Sequence, residues 1–458
     1  MTQGLSIAGS SIAAETTAID TIAQNISNAQ TPGYVQETPV MGTVPGSGGT
    51  GAGDGVEITT ITQATNALLS TNSWQAQGAL ANVSTLQQTL SSAEALFPIT
   101  AQSQATSVTA GNSLSQELSA FWNSWDSIAQ TPSASAPRLQ TIDYAKSLVV
   151  TFQQTATQLT GIATNVQSEL SNQVTQVNTL LSKVSSLNQS IAQSPNPSGA
   201  NQLEDQLRQA IGTLSKLAGV NARIQANGMA TISIGGVTVV QDATVSSLKL
   251  AKTGTPPSTV VVLATSPTVE VPVTNGSVAA LLASTDRYLP KYRALLNKVA
   301  TSLKSTVNSQ LSKGYTATGA SGKPLFVGTG ISGFEVNPTV VADPSLIAAS
   351  GTSTPSAAVN NGANAQAMAG LGTSSAAPDA VYRTLVQSIG TDTQSANSQI
   401  AAATAVATQA QAALQAVSGV NVTEQMTQLL SDQQNFEASA KLISIISTTV
   451  QSLEQAIA

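Results

Sequence analysis

The sequence predicts a mainly α-helical protein with a small β insertion: a long-helix coiled-coil rod with paired N- and C-terminal helices and one small β domain. Three observations predict it. Both ends carry seven-residue apolar ladders, Leu5, Ile12, Ile19 and Ile26 at the start and Val422, Leu429, Phe436, Ile443, Val450 and Ile457 at the end. A third such row, Ala163, Leu170, Val177, Val184 and Ile191, runs through the longest helical pattern. From Val220 to about Val273 the period drops to two, with β-branched residues alternating around Asn227-Gly228 and Gly235-Gly236. A strict repeat of seven keeps one narrow stripe of a helix apolar, and that stripe is stable only against a partner helix. Chain termini usually fray, so seams at both ends make sense if the ends pair with each other inside an assembly. A helical bundle whose ends happen to pack would carry the same ladders.

The first helix spans residues 4–29 and is stopped by Asn28 and the turn chemistry of Thr31-Pro32-Gly33. The stretch from Gly42 to Gly55 is too rich in glycine for regular structure and reads as a flexible loop flanked by short extended pieces such as Val56 to Ile61. A helical segment over 63–96 ends at Phe97-Pro98. Residues 110–130 form another, with Trp122 and Trp125 three apart as core anchors. The long pattern over 137–193, closed by Pro195 and Pro197, is the third coiled-coil seam, with Gln173 interrupting its second row. A shorter helix over 201–218 opens on a capping-box-like Asn201…Glu204 and ends at Gly219. Asn-Gly between alternating apolar runs signals a hairpin, which places a small β domain next. Helical periodicity returns over 277–313, a loop-rich, low-complexity stretch with some strand around Leu325 to Val336 fills 314–376, and a helix over 378–417 leads to Gly419 and a last helix capped by Asn421. The order helices, β insertion, helices gives a rod with the termini together at one end and the β domain budding from the other.

Composition narrows the function. Apolar residues make up 41% of the 458, enough for real cores. Charged residues reach only 9%, against about 25% in ordinary soluble domains. Such a polar but nearly uncharged surface repels its own copies weakly and suits close packing of many subunits. The formal net charge is −6 with no Lys/Arg-rich run, so the basic face that nucleic acid requires is missing. There is no Cys and no His, which removes thiol and imidazole catalysis, disulfides and the usual zinc ligands. No catalytic residue, cofactor or metal ligand is expected. No stretch reaches the roughly 18 consecutive apolar residues of a membrane span, and Met1 to Ala29 has neither the basic start nor the continuous apolar run of a signal peptide.

The segment Gln24-Asn25-Ile26-Ser27-Asn28-Ala29-Gln30-Thr31-Pro32-Gly33-Tyr34 resembles the N-terminal motif of the flagellar axial proteins, NNIANxxTPGY. Its Thr-Pro-Gly-Tyr ending is similar to the hook-associated FlgK branch of that family. Gly419-Val420-Asn421-Val422-Thr423-Glu424-Gln425-Met426 and Gln433-Gln434-Asn435-Phe436-Glu437-Ala438-Ser439-Ala440-Lys441 resemble the matching C-terminal stretches. Pro324-Leu325-Phe326, Phe334 to Pro338 and Asp343 to Ser350 resemble its late-core signature, and Gly53 to Leu69 its Gly-rich loop and following helix. Departures occur at Asn435-Phe436 and at Asn361-Gly362-Ala363-Asn364, and the β insertion is short.

The resemblance implies a structural subunit at the junction between flagellar hook and filament, outside the cell, and no enzyme. Its implied partners are copies of itself in a ring, hook protein on one side, a second junction protein and then filament on the other, and an export chaperone before secretion. It would leave by the type III flagellar apparatus without a cleaved leader. Nucleic acid and membrane are not among the implied partners. It also implies a terminal coiled-coil domain, an inner tube, from residues 1–40 with 420–458. The helical rod would be 41–219 with 274–419, and 220–273 the inserted β domain. The two terminal ladders become the assembly interface, and Asn25, Asn28, Thr31, Pro32, Gly33 and Tyr34 the family motif. Two alternatives stand beside this reading: another axial subunit of hook or distal rod, and a secreted coiled-coil adhesin or effector.

Overall fold

A computed structural model describes residues 2–31, 33–46, 53–98, 113–194, 197–255, 257–265, 268–374 and 378–457. Pro32, Pro195 and the glycines at 48, 49 and 51 lie outside the described residues.

The chain begins with α1 (Thr2–Asn28), then an antiparallel hairpin of β1 (Glu37–Val44) and β2 (Gly55–Gln63). Four helices follow: α2 (Ala67–Glu94), α3 (Leu114–Gln130), α4 (Ser135–Ala192) and α5 (Pro197–Ala218). The insertion holds β3 (Asn221–Ile224), β4 (Ala230–Ile234), β5 (Val237–Gln241), β6 (Thr244–Val245), β7 (Leu248–Thr253), β8 (Ser258–Leu263) and β9 (Glu270–Val271). These make two antiparallel sheets, in orders β3-β4-β5-β6 and β7-β8-β9. Then come α6 (Gly276–Ala283), α7 (Leu289–Ser312), β10 (Phe326–Val327), β11 (Glu335–Val336) and three short helices, α8 (Pro338–Ala342), α9 (Pro355–Ala358) and α10 (Ala363–Ala369). The long α11 (Pro378–Ser418) and α12 (Val422–Ile457) complete the chain. A mainly α fold with a small β insertion is what the structure shows.

Local chemistry explains most boundaries. The α3 start is a capping box between Ser113 and Gln116, and α2 is capped by Asn66, whose Oδ1 accepts from the Leu69 N–H at 3.1 Å. Gly235 and Gly236 both have positive φ, the backbone a tight β4–β5 turn needs and L residues avoid. Residues 284–288 form one π turn between α6 and α7. Pro290, just beyond it, has no N–H to give and crowds the carbonyl a turn back, so the helix widens there instead of breaking.

The densest core lies around α3 and the first half of α4. Phe121, Trp125, Ile128, Phe152 and Phe326 are fully buried. Ring centroids stand 5.7 Å apart for Phe121–Phe326, 5.7 Å for Phe152–Phe334 and 5.0 Å for Phe326–Phe334. Trp122 donates its Nε1–H to Asp379 of α11 at 2.8 Å.

Four sequence expectations need correcting. First, the seven-residue row of α4 does not meet one long partner helix. It is shared between α5 and, over its last third, the insertion: Asn178 bonds both backbone groups of Leu248 at 2.8 Å, and Asn188 donates to the carbonyls of Ala230 and Asp242. A narrow apolar stripe needs a dry neighbour, and a sheet supplies one as well as a helix does. Second, the insertion does not bud from the end opposite the termini. The β3–β4 turn at Gly228 packs against Ile191 and Glu204, while Asn201 of the same α5 donates to Ile61 of β2, so insertion and terminal hairpin are neighbours across α5. Third, Asn201 is no cap: α5 starts at Pro197, where a missing N–H costs nothing. Fourth, residues 314–374 hold the expected strand at Phe326–Val327 and Glu335–Val336, and beyond it short helices and buried core in place of loop. Leu325, Phe334, Ile347, Ala348, Ala365 and Met368 are buried there, closing the aromatic end of α4. In addition, β1 runs through position 40, where the sequence reading divides terminal domain from rod, because strand pairing carries the terminal unit out to Gln63.

Candidate assembly site: the terminal helix pair and its polar hub

α1 and α12 pack antiparallel. A Cβ on Gly4 would stand 3.3 Å from Ile446 Cδ1, the hydroxyls of Ser11 and Ser439 are 3.0 Å apart, and Asn25 Nδ2 donates to Gln425 Oε1 at 2.9 Å. The line facing α12 is thus Gly4, Ser11, Ala18 and Asn25, small and polar. The ladder read from the sequence lies one residue further round: Leu5 is 47% exposed, and Ile12, Ile19 and Ile26 are half-buried. On α12, Leu429, Phe436, Ile443 and Val450 are half-buried, while Val422 and Ile457 are exposed. A spacing of seven identifies a line along a helix, but two lines 100° apart share that spacing. Small residues win the central line because they let the backbones approach. The flank of α1 away from the ladder is covered by the hairpin, with Gly55 against Ile7 and Ser10, and the Val56 N–H donating to Ser10 Oγ at 3.3 Å.

Asn25 is the hub of this unit. Its Nδ2 donates to the Glu37 carbonyl at 2.7 Å as well as to Gln425, and its Oδ1 accepts from the Glu37 N–H at 2.9 Å and the Tyr34 hydroxyl at 2.8 Å. One buried side chain therefore ties α1, the start of β1, and α12. Only an amide offers two donors and an acceptor in this fork, so aspartate cannot replace it.

The rest of the motif builds the return that makes the hub possible. Asn28 accepts the Thr31 N–H at 2.8 Å on its carbonyl and the Thr31 hydroxyl at 3.1 Å on its side chain. Gly33 has φ +85, and the Tyr34 N–H closes on the Thr31 carbonyl at 3.2 Å. The chain so reverses and lays Tyr34 on Asn25. Pro32 lies outside the described residues.

A second polar cluster joins this unit to the rod. Gln63 Nε2 donates to Asp205 Oδ1 at 3.1 Å and to the Asn201 carbonyl at 3.2 Å. Arg208 bonds Asp205 at 2.7 Å, Glu204 at 3.3 Å, and Gln63. Burial pushes the Glu37 and Asp205 carboxyls above the ordinary range; Asn201 and Gln63 oppose this at Glu37, and Arg208 opposes it at Asp205. Burial, with the Glu37 and Asp205 charges, also drives the Tyr34 phenol upward, so it stays a donor to Asn25. A polar cavity of about 240 Å³ opens between this turn and α5, lined among others by Gln24, Tyr34, Asp205 and Gln209. Among the described residues no group of three or more Asp, Glu, His or Cys could hold a metal ion, and no helix is long and apolar enough to cross a membrane.

The sequence reading missed Gln425, Glu15 and Asp432 in the seam, and the exposed apolar residues of α12. Met426, Leu430, Leu442, Ile445 and Leu453 are 44–58% exposed. Two of them stand beside ladder residues, in the doublets Leu429-Leu430 and Leu442-Ile443.

A rod that folds both chain ends into one antiparallel pair, locked by the Asn25 motif, defines the class: a flagellar axial protein. The family model for the helical domain of flagellar hook-associated protein FlgK matches residues 101–326, and that for the C-terminal segment of flagellar basal body rod FlgEFG proteins matches 410–456. Over these segments the chain is similar to the flagellar hook-associated protein FlgK family. Flagellar hook-associated protein 1 of Salmonella typhimurium is 26% identical over 321 residues, covering 68% of this chain and 56% of that protein. The Bacillus subtilis protein of the same name is 27% identical over 251 residues, 50% of this chain and 48% of its own length. The chain thus spans about half the length of these relatives. The flagellar hook junction protein FlgK from Burkholderia pseudomallei shares the fold, with a TM-score of 0.62 at 18% identity over 76% of this chain and 100% of that one.

Proposed function

We propose that this chain is a structural subunit of the bacterial flagellum at the junction between hook and filament, needed for the filament to grow. The observation that carries the reading is the terminal pair: a seam of small and polar residues, with Met426, Leu430, Leu442, Ile445 and Leu453 exposed around α12. Such exposed apolar residues find their partners in other copies of the chain, arranged as a ring, with hook protein on one side and the filament side, through a second junction protein, on the other. Each exposed residue contributes of the order of 1 kcal/mol when its exposed part is covered by a neighbour, so many weak contacts add up to an ordered tube. The terminal domain, 1–40 with 420–458 extended by the hairpin, is the assembling part; the rod and the 220–273 insertion form the outer surface. Passage through the flagellar export apparatus, with a chaperone holding the chain beforehand, belongs to the same reading.

The C-terminal match to rod and hook proteins favours a second reading, a subunit lower on the axis. Electron microscopy of a deletion strain, with an assay for filament protein in the medium, separates the two. Hooks without filaments and free flagellin outside the cell are the expected result. Missing hooks would move the chain to rod or hook, and normal flagella would overturn both readings.

A further inference from the structure

The seam between α1 and α12 buries two carboxylates and no cation. Glu15 is 8% exposed and Asp432 is 4% exposed, on opposite helices near the middle of the pair. Asp432 Oδ1 accepts from Gln428 Nε2 at 2.8 Å, and the Asn435 amide bonds the Glu15 carboxyl, whose Oε2 has no hydrogen-bond partner. Among the described residues of α1 and the hairpin, no cation balances the charge. α1 has no Lys or Arg, nor do β1 and β2. Its own Asp20 and the hairpin's Glu57 are exposed acids, and the buried Glu37 lies at the far end beside Asn25. On α12, Glu424, Glu437 and Glu454 are exposed, and the one cation, Lys441, is exposed nine residues from Asp432, about 13 Å along the helix.

We propose that Glu15 is a proton-binding site: closing α1 onto α12 takes one proton from solvent onto the Glu15 carboxyl, linking closure of the terminal pair to pH. The new O–H turns an orphaned acceptor into a donor. The seam then buries one negative charge fewer beside Asp432.

The electrostatics run the same way. Burial raises the Glu15 carboxyl above its ordinary range and the Asp432 charge raises it further, against a smaller opposing effect of Asn435. A carboxyl that holds its proton more tightly in the closed state favours closure at low pH. That contribution is complete below the ordinary carboxylate pKa of about 4 and is lost as pH rises through the raised value. The device concerns the isolated chain and stands whatever place in the flagellum the chain occupies.

The chain has no cysteine, so S11C with S439C, at hydroxyls 3.0 Å apart, gives a single disulfide trap for the closed pair. Trapping is measured from pH 5 to pH 8 in the full chain, at a urea concentration that leaves the pair half closed in the S11C/S439C chain. It is repeated with E15Q added. Comparing the two at each pH cancels the ionisation of the thiols. E15Q should trap roughly fivefold or more faster at pH 8 and by a clearly smaller factor at pH 5, since one pKa unit is a factor of ten. D432N should also raise trapping at pH 8 and flatten the pH dependence. A ratio that does not change with pH overturns the proposal, as does slower trapping by both variants at every pH. Trapping that follows added Na⁺, K⁺ or Mg²⁺ at fixed pH overturns it in favour of a bound cation.

Discussion

The aromatic end of the rod and the terminal pair are both helix packings, yet they hold together by opposite means. Around α3 and α4, Phe121, Trp125, Phe152 and Phe326 are fully buried and their rings interlock. Between α1 and α12 the contact line is Gly4, Ser11, Ala18 and Asn25 against Gln425, Asp432, Ser439 and Ile446, with Ile22 buried but the ladder residues half-buried or exposed. The rod buries what it needs within one chain. The terminal pair holds by a few directional hydrogen bonds and leaves its apolar surface for something else to cover, as expected of a unit finished only by its neighbours.

That contrast can be broken at four places. Trp125→Ala should remove about 3–5 kcal/mol by opening a cavity in the aromatic core, and calorimetry should show the main unfolding transition shifted down. Asn25→Ala should cost about 3 kcal/mol by leaving the Glu37 backbone groups and the Tyr34 hydroxyl without their partner. Hydrogen exchange should then find α1, β1 and α12 unprotected while α3 and α4 keep their protection; equal loss in both would mean that the two regions are one cooperative unit. Ile443→Asp or Ile19→Asp should cost about 1–2 kcal/mol at the half-buried flanks, leave the rod folded by circular dichroism and block incorporation. Ile445→Asp, at an exposed position, should change the stability of the isolated chain by less than about 0.5 kcal/mol and still impair filament growth in a motility assay. A large loss of stability there would mean the side chain is already covered within the chain.

Much of this was legible in residue order. Helix stops at Asn28, Phe97-Pro98 and Gly419, the turns at Asn227-Gly228 and Gly235-Gly236, and Trp122 and Trp125 as anchors all rest on chemistry that acts within a few residues. The motif around Asn25 was visible as a resemblance, but its use as a four-bond hub was not, because Gln425 lies 400 positions away. The partners of the α4 row were likewise hidden: an apolar stripe states that something dry must cover it, and α5 shares that task with β5 and β7.

The sequence alone therefore determined the periods, the caps and the turns, and through them the order of elements and the family. Tertiary structure decided which of two adjacent helix lines becomes the seam, that the insertion sits beside the terminal hairpin across α5, and that Glu15 and Asp432 meet in a place without a cation. Local signals are fixed by sterics and hydrogen bonds along the backbone. Pairings across hundreds of residues depend on which surfaces fit once the chain has folded back on itself, and small side chains win that contest by allowing closer approach than a periodic ladder can announce.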